Sequence, residues 1–380
     1  MISRFLILSL LCLISASSAY AVPTIKTSAK QAFIIDYQTG TVLFEKNADD
    51  RMATSSMSKV ITSMVVFDAI KRGEIALDDT FEVSEKAWKK GGSKMFVEVK
   101  KKVKVEDLIR GVTIQSGNDA TIVLAEGLSG TEDEFAKRLN KMAASLGMTN
   151  SNFMNASGWP DDDHYSTARD LSTLGRALIR DYPEFYPIFS ETEFTFNSIK
   201  QQNRNPLLYR NIGADGIKTG HTVLGGYGLM GSGVRDGRRV VLVVNGLESE
   251  RARAQESAKL LDWALGRFKN YRFFDGDQSI AEANVVLGKE DTIPLVLKKP
   301  LMFTLPKGYE KELKVELSYN GPFVAPIVEG LEAGRLVISI GEQTLFDGPV
   351  FTGANVEQKG FFSRTLDKAK ILVGGSIPSS

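Results

Sequence analysis

Cysteine is nearly absent. The 380 residues contain one, Cys12, inside the first 21. An internal disulfide framework is therefore excluded, and so is a thiolate-rich metal site. Histidine is almost as scarce. His164 and His221 are the only two and lie far apart in sequence, a poor basis for a zinc centre or a serine–histidine triad. An excess of charge of one sign is also lacking. Lys and Arg number 47 against 46 Asp and Glu, a formal net charge of +1, which argues against nucleic acid as a partner. The apolar run Phe5 to Ile14 is too short for a comfortable transmembrane helix.

That run instead fits a secretory leader over residues 1–21. Arg4 gives the charged start, Phe5 to Ile14 the apolar stretch, and Ala19-Tyr20-Ala21 the small-x-small cleavage site, with Val22 the first mature residue. A lipoprotein would need a small residue before Cys12, where Leu11 stands. Cleavage removes both Cys12 and Arg4, so +1 becomes 0. An exported chain without disulfides must rely on its core, and this one is long enough to build it.

The stretch with most chemical content is Ser56-Met57-Ser58-Lys59, the single Ser-x-x-Lys of the chain. Positions i and i+3 share a helix face, so Lys59 can serve Ser56 as a base. Val60 to Ile70 is apolar nearly all round, the pattern of a helix buried in a large domain. Thr54 or Ser55 is expected to cap it, and Gly73 to lie past its end. Ser-x-x-Lys alone is a common coincidence, so the context must carry the chemistry.

A hairpin is expected over residues 31–46, and helices over 105–114, from 119, over 132–146 and over 168–180, the last capped by Ser166 or Thr167. Between the second and third of these segments lies Ser116-Gly117-Asn118, where Gly117 is expected to free the backbone for a sharp turn. Residues 214–247 read as strands, with Lys218-Thr219-Gly220 on the first and a turn at Arg235-Asp236-Gly237. A helical pattern follows from Arg251 to Phe268, then a polar crossing at 272–280. From 284 to 352 only short alternating strands appear, a small all-β module. The lysine-rich run 86–104 reads as a solvated face or as a contact to anionic cell-wall polymer. The expected division is a leader at 1–21, a catalytic domain at 22–274, a β-sandwich-like domain at 275–356, and an amphipathic segment with a flexible tail at 357–380.

Ser-x-x-Lys, Ser116-Gly117-Asn118 and Lys218-Thr219-Gly220 stand in the order found in serine β-lactamases and penicillin-binding proteins, whose second motif also occurs with Asp in the middle. Beyond the triple, the chain from about Ala29 to Phe362 resembles the D-alanyl-D-alanine carboxypeptidases, the low-molecular-mass penicillin-binding proteins. Leu108-Ile109-Arg110-Gly111, Gln115 to Ala120, Phe194 to Asn197, Gln202-Asn203-Arg204-Asn205, Asp215 to Thr222 and Arg253 to Ser257 carry the resemblance. It implies an α/β (α+β) transpeptidase-like domain, a five-stranded antiparallel sheet with helices on both faces, followed by a small all-β domain. It also implies removal of the terminal D-Ala from peptidoglycan pentapeptide stems through an acyl-serine, with β-lactams as covalent inhibitors.

By the same resemblance, Ser56 is the nucleophile, Lys59 its general base and Ser116 a proton relay. Asn118 would orient the substrate amide, and Lys218 would be the cation that depresses the Lys59 pKa. Thr219 and Arg253, with Arg204 as a second basic candidate, would hold the terminal carboxylate. Gly220 completes the strand motif, and the N–H groups of Ser56 and His221 form the oxyanion hole. No cofactor, metal or nucleic acid is expected. His164, beside Asp161-Asp162-Asp163, is expected to be solvated.

Other readings are a β-lactamase, for which Glu193 in Glu193-Phe194-Thr195-Phe196-Asn197 would activate water, a DD-endopeptidase, or a non-catalytic cell-wall scaffold. At the C-terminus, Phe361, Phe362, Thr365, Leu366, Ala369, Leu372 and Val373 fall on one helical side. This segment reads as an interfacial helix or as one packed on the β module. The first of these, with the leader, implies a periplasmic enzyme attached peripherally to the outer face of the inner membrane.

Overall fold

The computed structural model describes residues 23–365. The leader and residues 366–380 of the amphipathic segment lie outside the described residues. Two compact units are present, Thr24–Lys269 and a second from Asn270 onward.

The first unit is built on β1 (Gln31–Asp36), β2 (Val42–Lys46), α1 (Lys59–Lys71), α2 (Val105–Thr113), α3 (Asn118–Ser129), α4 (Glu132–Ser145), α5 (Ala168–Asp181), β3 (Ala214–Thr222), β4 (Gly226–Arg235), β5 (Arg238–Leu247) and α6 (Glu250–Arg267). The strands form one antiparallel sheet in the order β2-β1-β5-β4-β3. Side-chain alternation covers both of its faces. Phe33, Ile35, Val241 and Val243 join the core of α1 to α5. Ala32, Ile34, Val240, Leu242 and Val244 point the other way, onto Leu260, Leu261 and Leu265 of α6. Both faces are apolar because both are buried, so the strands read as near-continuous apolar runs.

α1 lies inside the first of these cores, and every residue from Lys59 to Phe67 is buried. The helix ends as expected, with Gly73 at φ +71° just beyond Arg72. Its start differs. Ser55–Ser58 form a 3₁₀ turn ahead of α1, and neither Thr54 nor Ser58 makes a side-chain cap. Elsewhere capping follows the chemistry: Thr131, Thr167 and Ser249 each accept from the backbone N–H three residues on. The β4–β5 turn uses Asp236 and Gly237, both at positive φ, the geometry that matches strand twist.

Two short antiparallel strand pairs escaped sequence reading. Thr80–Glu82 pairs with Lys102–Lys104, and Glu193–Phe196 with Ile199–Gln202. The first hides in the lysine-rich run, where one inward side chain, Val103, is too little periodicity to detect.

The second unit holds a six-stranded sheet in the order Leu313–Tyr319, Glu332–Ile340, Gln343–Thr352, Thr292–Val296, Ser279–Val286, Phe323–Val324. Ile293, Leu295, Leu336, Ile338 and Val350 fill its core. Strand Gln343–Thr352 runs straight through Asp347-Gly348-Pro349. The polar crossing expected at 272–280 begins inside a strand, Phe268–Phe274, that pairs with Leu301–Pro306. Residues 361–365 are helical, with Phe361 and Phe362 exposed. No helix among the described residues is long and apolar enough to cross a membrane.

Candidate active site

Lys59 is fully buried, and its Nζ lies 2.9 Å from Ser56 Oγ, 2.7 Å from Asn118 Oδ1 and 2.6 Å from the Ser157 carbonyl oxygen. Burial first, and then the charge of Arg204, push its pKa down to about 7, against the opposing pull of Asp119. A neutral amine has two N–H groups and one lone pair. The Asn118 and Ser157 oxygens can only accept, so they take the two N–H groups. The lone pair is left facing the Ser56 hydroxyl, the arrangement a general base requires.

Lys218 was expected to supply the charge that depresses Lys59. The charge that does so most is that of Arg204. Lys218 is itself buried, and burial, then Lys59, Arg204 and Arg253, push its pKa well down. Two lysines and two arginines thus crowd one cleft, which favours an anionic ligand. Arg253 is 6% exposed, with Nη2 3.9 Å from Glu250 and its guanidinium over the Tyr227 ring. Arg204 donates from Nη1 to Ser93 Oγ.

The strand carrying Lys218 is held against the turn that carries Ser56 by missing atoms. A Cβ on Gly220 would lie 2.9 Å from the Thr54 carbonyl oxygen and 3.1 Å from Ser55 Cβ. Thr219 is buried beside it, and His221 stacks on Tyr227 with centroids 3.9 Å apart. On the other side, Gly158, at φ +75°, lies so close that a Cβ would meet the Ser55 carbonyl oxygen at 1.8 Å.

Ser116 and Gly117 exchange the roles expected of them. Gly117 has an ordinary φ of −60°, whereas Ser116 stands at +62°, a conformation non-glycine residues adopt rarely. Gly117 is needed for space: its Cβ would lie 2.8 Å from Asp119 Oδ1 and 3.0 Å from Met95 N. Ser116 is buried. Asn118 has both ends of its amide engaged, Oδ1 on Lys59 and Nδ2 donating to the Gly91 carbonyl at 2.9 Å. It therefore holds the Lys59 amine in place.

Sequence reading missed three groups. Ser157 contributes only a carbonyl, which no side-chain motif can reveal. Asp119 accepts from the backbone N–H groups of Met95, Phe96 and Val97 at 2.9, 2.9 and 3.2 Å, clamping the loop that borders Asn118. Its place directly after Asn118 was the one available signal. His164 is buried, not solvated, and touches Ser58. Glu193, the alternative water-activating group, is exposed and paired with Lys200 at 2.7 Å, which leaves it no part in this cluster. Among the described residues no group of His, Cys, Asp and Glu has the make-up of a metal site.

Residues 16–249 match the family described as D-alanyl-D-alanine carboxypeptidase, and residues 268–358 match the C-terminal domain of penicillin-binding protein 5. The chain is 35% identical over 380 residues to D-alanyl-D-alanine carboxypeptidase DacA of Haemophilus influenzae, covering 98% of this chain and 97% of that one. Among solved structures, penicillin-binding protein 5 from Haemophilus influenzae superposes with a TM-score of 0.79 at 35% identity, over 89% of this chain and all of that one. Penicillin-binding protein D2 from Listeria monocytogenes, in its ampicillin-bound form, superposes with a TM-score of 0.58 at 31% identity, over 63% of this chain and 98% of that one. A penicillin-binding fold, its matching second domain and the Ser56–Lys59 pair agree: this chain belongs to the D-alanyl-D-alanine carboxypeptidase family.

Proposed function

We propose that the protein is a serine-type D-Ala-D-Ala carboxypeptidase acting on peptidoglycan pentapeptide stems, with Ser56 as nucleophile and Lys59 as its base. The observation that carries this reading is the 2.9 Å contact between Lys59 Nζ and Ser56 Oγ, with Asn118 and the Ser157 carbonyl occupying the rest of the amine. With a pKa near 7, a large share of Lys59 is neutral at neutral pH.

Neutral Lys59 takes the Ser56 proton while Oγ bonds to the carbonyl carbon of the penultimate D-Ala. The carbonyl oxygen becomes an oxyanion, received by the backbone N–H groups of Ser56 and His221; one such donor is worth about 3 kcal/mol. The C–N bond then breaks, and the departing D-Ala amine collects, through Ser116, the proton that Lys59 took from Ser56, which returns Lys59 to its neutral form. Water adds to the ester, its proton passes to neutral Lys59, and Lys59 returns that proton to Oγ as it leaves. No atom or electron is left over. The D-Ala carboxylate sits among Thr219, Arg204 and Arg253, which explains a preference for a free C-terminus. Lys218 lies buried in the same cleft; burial of Lys59, and then the charge of Arg204, favour the neutral form of the base. Gly220 lets the strand approach the serine.

A β-lactam presents a similar acyl group and carboxylate, so penicillin acylates Ser56 and blocks the enzyme. In intact cells the enzyme is exported and works in the periplasm, in cell-wall remodelling and maintenance of cell shape. The amphipathic segment 357–380 lies in the headgroup region at the outer face of the inner membrane, a weak and reversible attachment.

Release of D-Ala from a soluble pentapeptide, lost in Ser56→Ala, tests the activity. A chain ending at Gly360 should keep that activity and no longer sediment with anionic vesicles; equal sedimentation of the two chains would remove the membrane attachment alone.

A further inference from the structure

A chain of buried polar groups runs beneath the turn that carries Ser56, and the chemical steps above do not use it. The Met154 N–H lies 3.2 Å from His164 Nδ1. That N–H can only donate, so Nδ1 is an acceptor and the ring proton sits on Nε2. Nε2 lies 2.8 Å from Ser58 Oγ, and Ser58 Oγ lies 2.5 Å from Thr54 Oγ1. Thr54 and Ser58 bracket the 3₁₀ turn: the Thr54 carbonyl accepts from the Met57 N–H at 3.1 Å, and Lys59 follows Ser58 directly. The ring is wedged edge-on against Phe153, with centroids 5.5 Å apart. Its surroundings leave it 4% exposed.

The turn needs such a support. Thr54, placed to cap the turn, and Ser58, placed to cap α1, make no side-chain cap, so their hydroxyls take their direction from each other and from His164. Ser55, next to the nucleophile, stands at φ +50°, a conformation that persists only where neighbours over-determine it. On its outer sides the turn meets Gly158 and Gly220, which supply room but no side chain, and there Ser55 Oγ donates to Thr222 Oγ1 at 3.2 Å.

We infer that His164 is a positioning residue for acylation: by donating from Nε2 to Ser58 Oγ it holds the Thr54–Lys59 turn in the geometry where Ser56 meets Lys59. The inference rests on the assignment of Ser56 as nucleophile. Burial, reinforced by the charge of Lys59 and opposed by that of Asp161, lowers the His164 pKa to about 4. The ring is therefore neutral at neutral pH and keeps the tautomer this chain requires. It touches no reacting atom, so it acts through Ser58 rather than as a catalytic residue.

Two amides separate the two ring nitrogens. The amide of glutamine reaches the Nε2 position and can donate to Ser58. That of asparagine reaches only the Nδ1 position and can still accept from Met154. Acylation of the full chain by a fluorescent penicillin, followed over a range of probe concentrations, yields a limiting rate constant, a half-saturating concentration and a labelled fraction. His164→Gln should stay within about threefold of the unaltered chain in limiting rate. His164→Asn and Ser58→Ala should both fall by about tenfold or more, with the half-saturating concentration unchanged. Equal rates in the Gln and Asn variants would overturn the inference. So would a loss confined to the labelled fraction, which would report folding rather than geometry. If the Asn variant does not fold, Ser58→Ala decides alone: an unaltered limiting rate there contradicts the inference. Absence of label on Ser56 in the unaltered chain would contradict the nucleophile assignment instead.

Discussion

Gly220 stands against the Thr54 carbonyl with no room for a side chain: a Cβ there would lie 2.9 Å from that oxygen and 3.2 Å from Met57 Cγ. The strand bearing Lys218 and the turn bearing Ser56 are thus in backbone contact. Gly220→Ala must push one from the other. Expected is a fall in acylation rate of about 100-fold, the cost of misplacing reacting groups by about an ångström. Stopped-flow acylation by a chromogenic β-lactam measures it, and circular dichroism should show the fold retained.

A second prediction concerns the charge state of Lys59. Arginine keeps its proton at every accessible pH. Lys59→Arg should therefore acylate at least about 100-fold more slowly, the usual contribution of a positioned base. In the unaltered chain, acylation should decline as pH falls through about 7, where Lys59 gains its proton. A pH profile of the acylation rate checks both, and near-normal acylation by the arginine variant would move the base role elsewhere.

Lys59 also links stability to pH. Its pKa is 10.5 when unfolded and about 7 when folded, so between these values the unfolded chain binds more protons. Stability contributed at this site therefore rises with pH across that window and is lost as pH falls towards 7. The quantity to measure is the unfolding free energy of the unaltered chain minus that of Lys59→Met. It should increase between pH 7 and pH 10, by about 1.4 kcal/mol per pH unit at most. A flat difference would contradict the buried, shifted lysine.

Asp119 tests the architecture around the site. Its carboxylate accepts from Met95, Phe96 and Val97, and an amide nitrogen in its place would face a donor. Asp119→Asn should cost about 2–4 kcal/mol of stability, since hydrogen bonds to charged groups are worth about 1.5–3 kcal/mol each and an asparagine keeps some of them. Urea unfolding gives the value. Loss of protection from amide exchange should concentrate in residues 93–97.

What was legible from sequence follows from how local each signal is. α1 could be read because burial on every side makes Val60 to Phe67 apolar without a period. The two-faced sheet came from the family resemblance: Val240 to Val244 are a continuous apolar run, and the structure shows them alternating between two cores. Ser56, Lys59 and Lys218 stood out because three short motifs came in order. Groups that act through backbone were invisible: the Ser157 carbonyl and the N–H groups clamped by Asp119 leave no side-chain pattern. Gly117 misled because glycine serves either a special φ or a close approach. In the folded chain Ser116 takes the φ and Gly117 gives the space. His164 misled in the same way, since three aspartates beside it suggest solvent, while its ring turns inward to Ser58.

The central claim is that Ser56, activated by Lys59, carries the acyl group. The most direct measurement is peptide mass spectrometry after incubation with penicillin, on the unaltered chain and on Ser56→Ala. A single penicilloyl adduct on the peptide containing Ser56, absent in the alanine variant, is the predicted result. An adduct on another serine, or undiminished labelling of Ser56→Ala, would contradict the assignment.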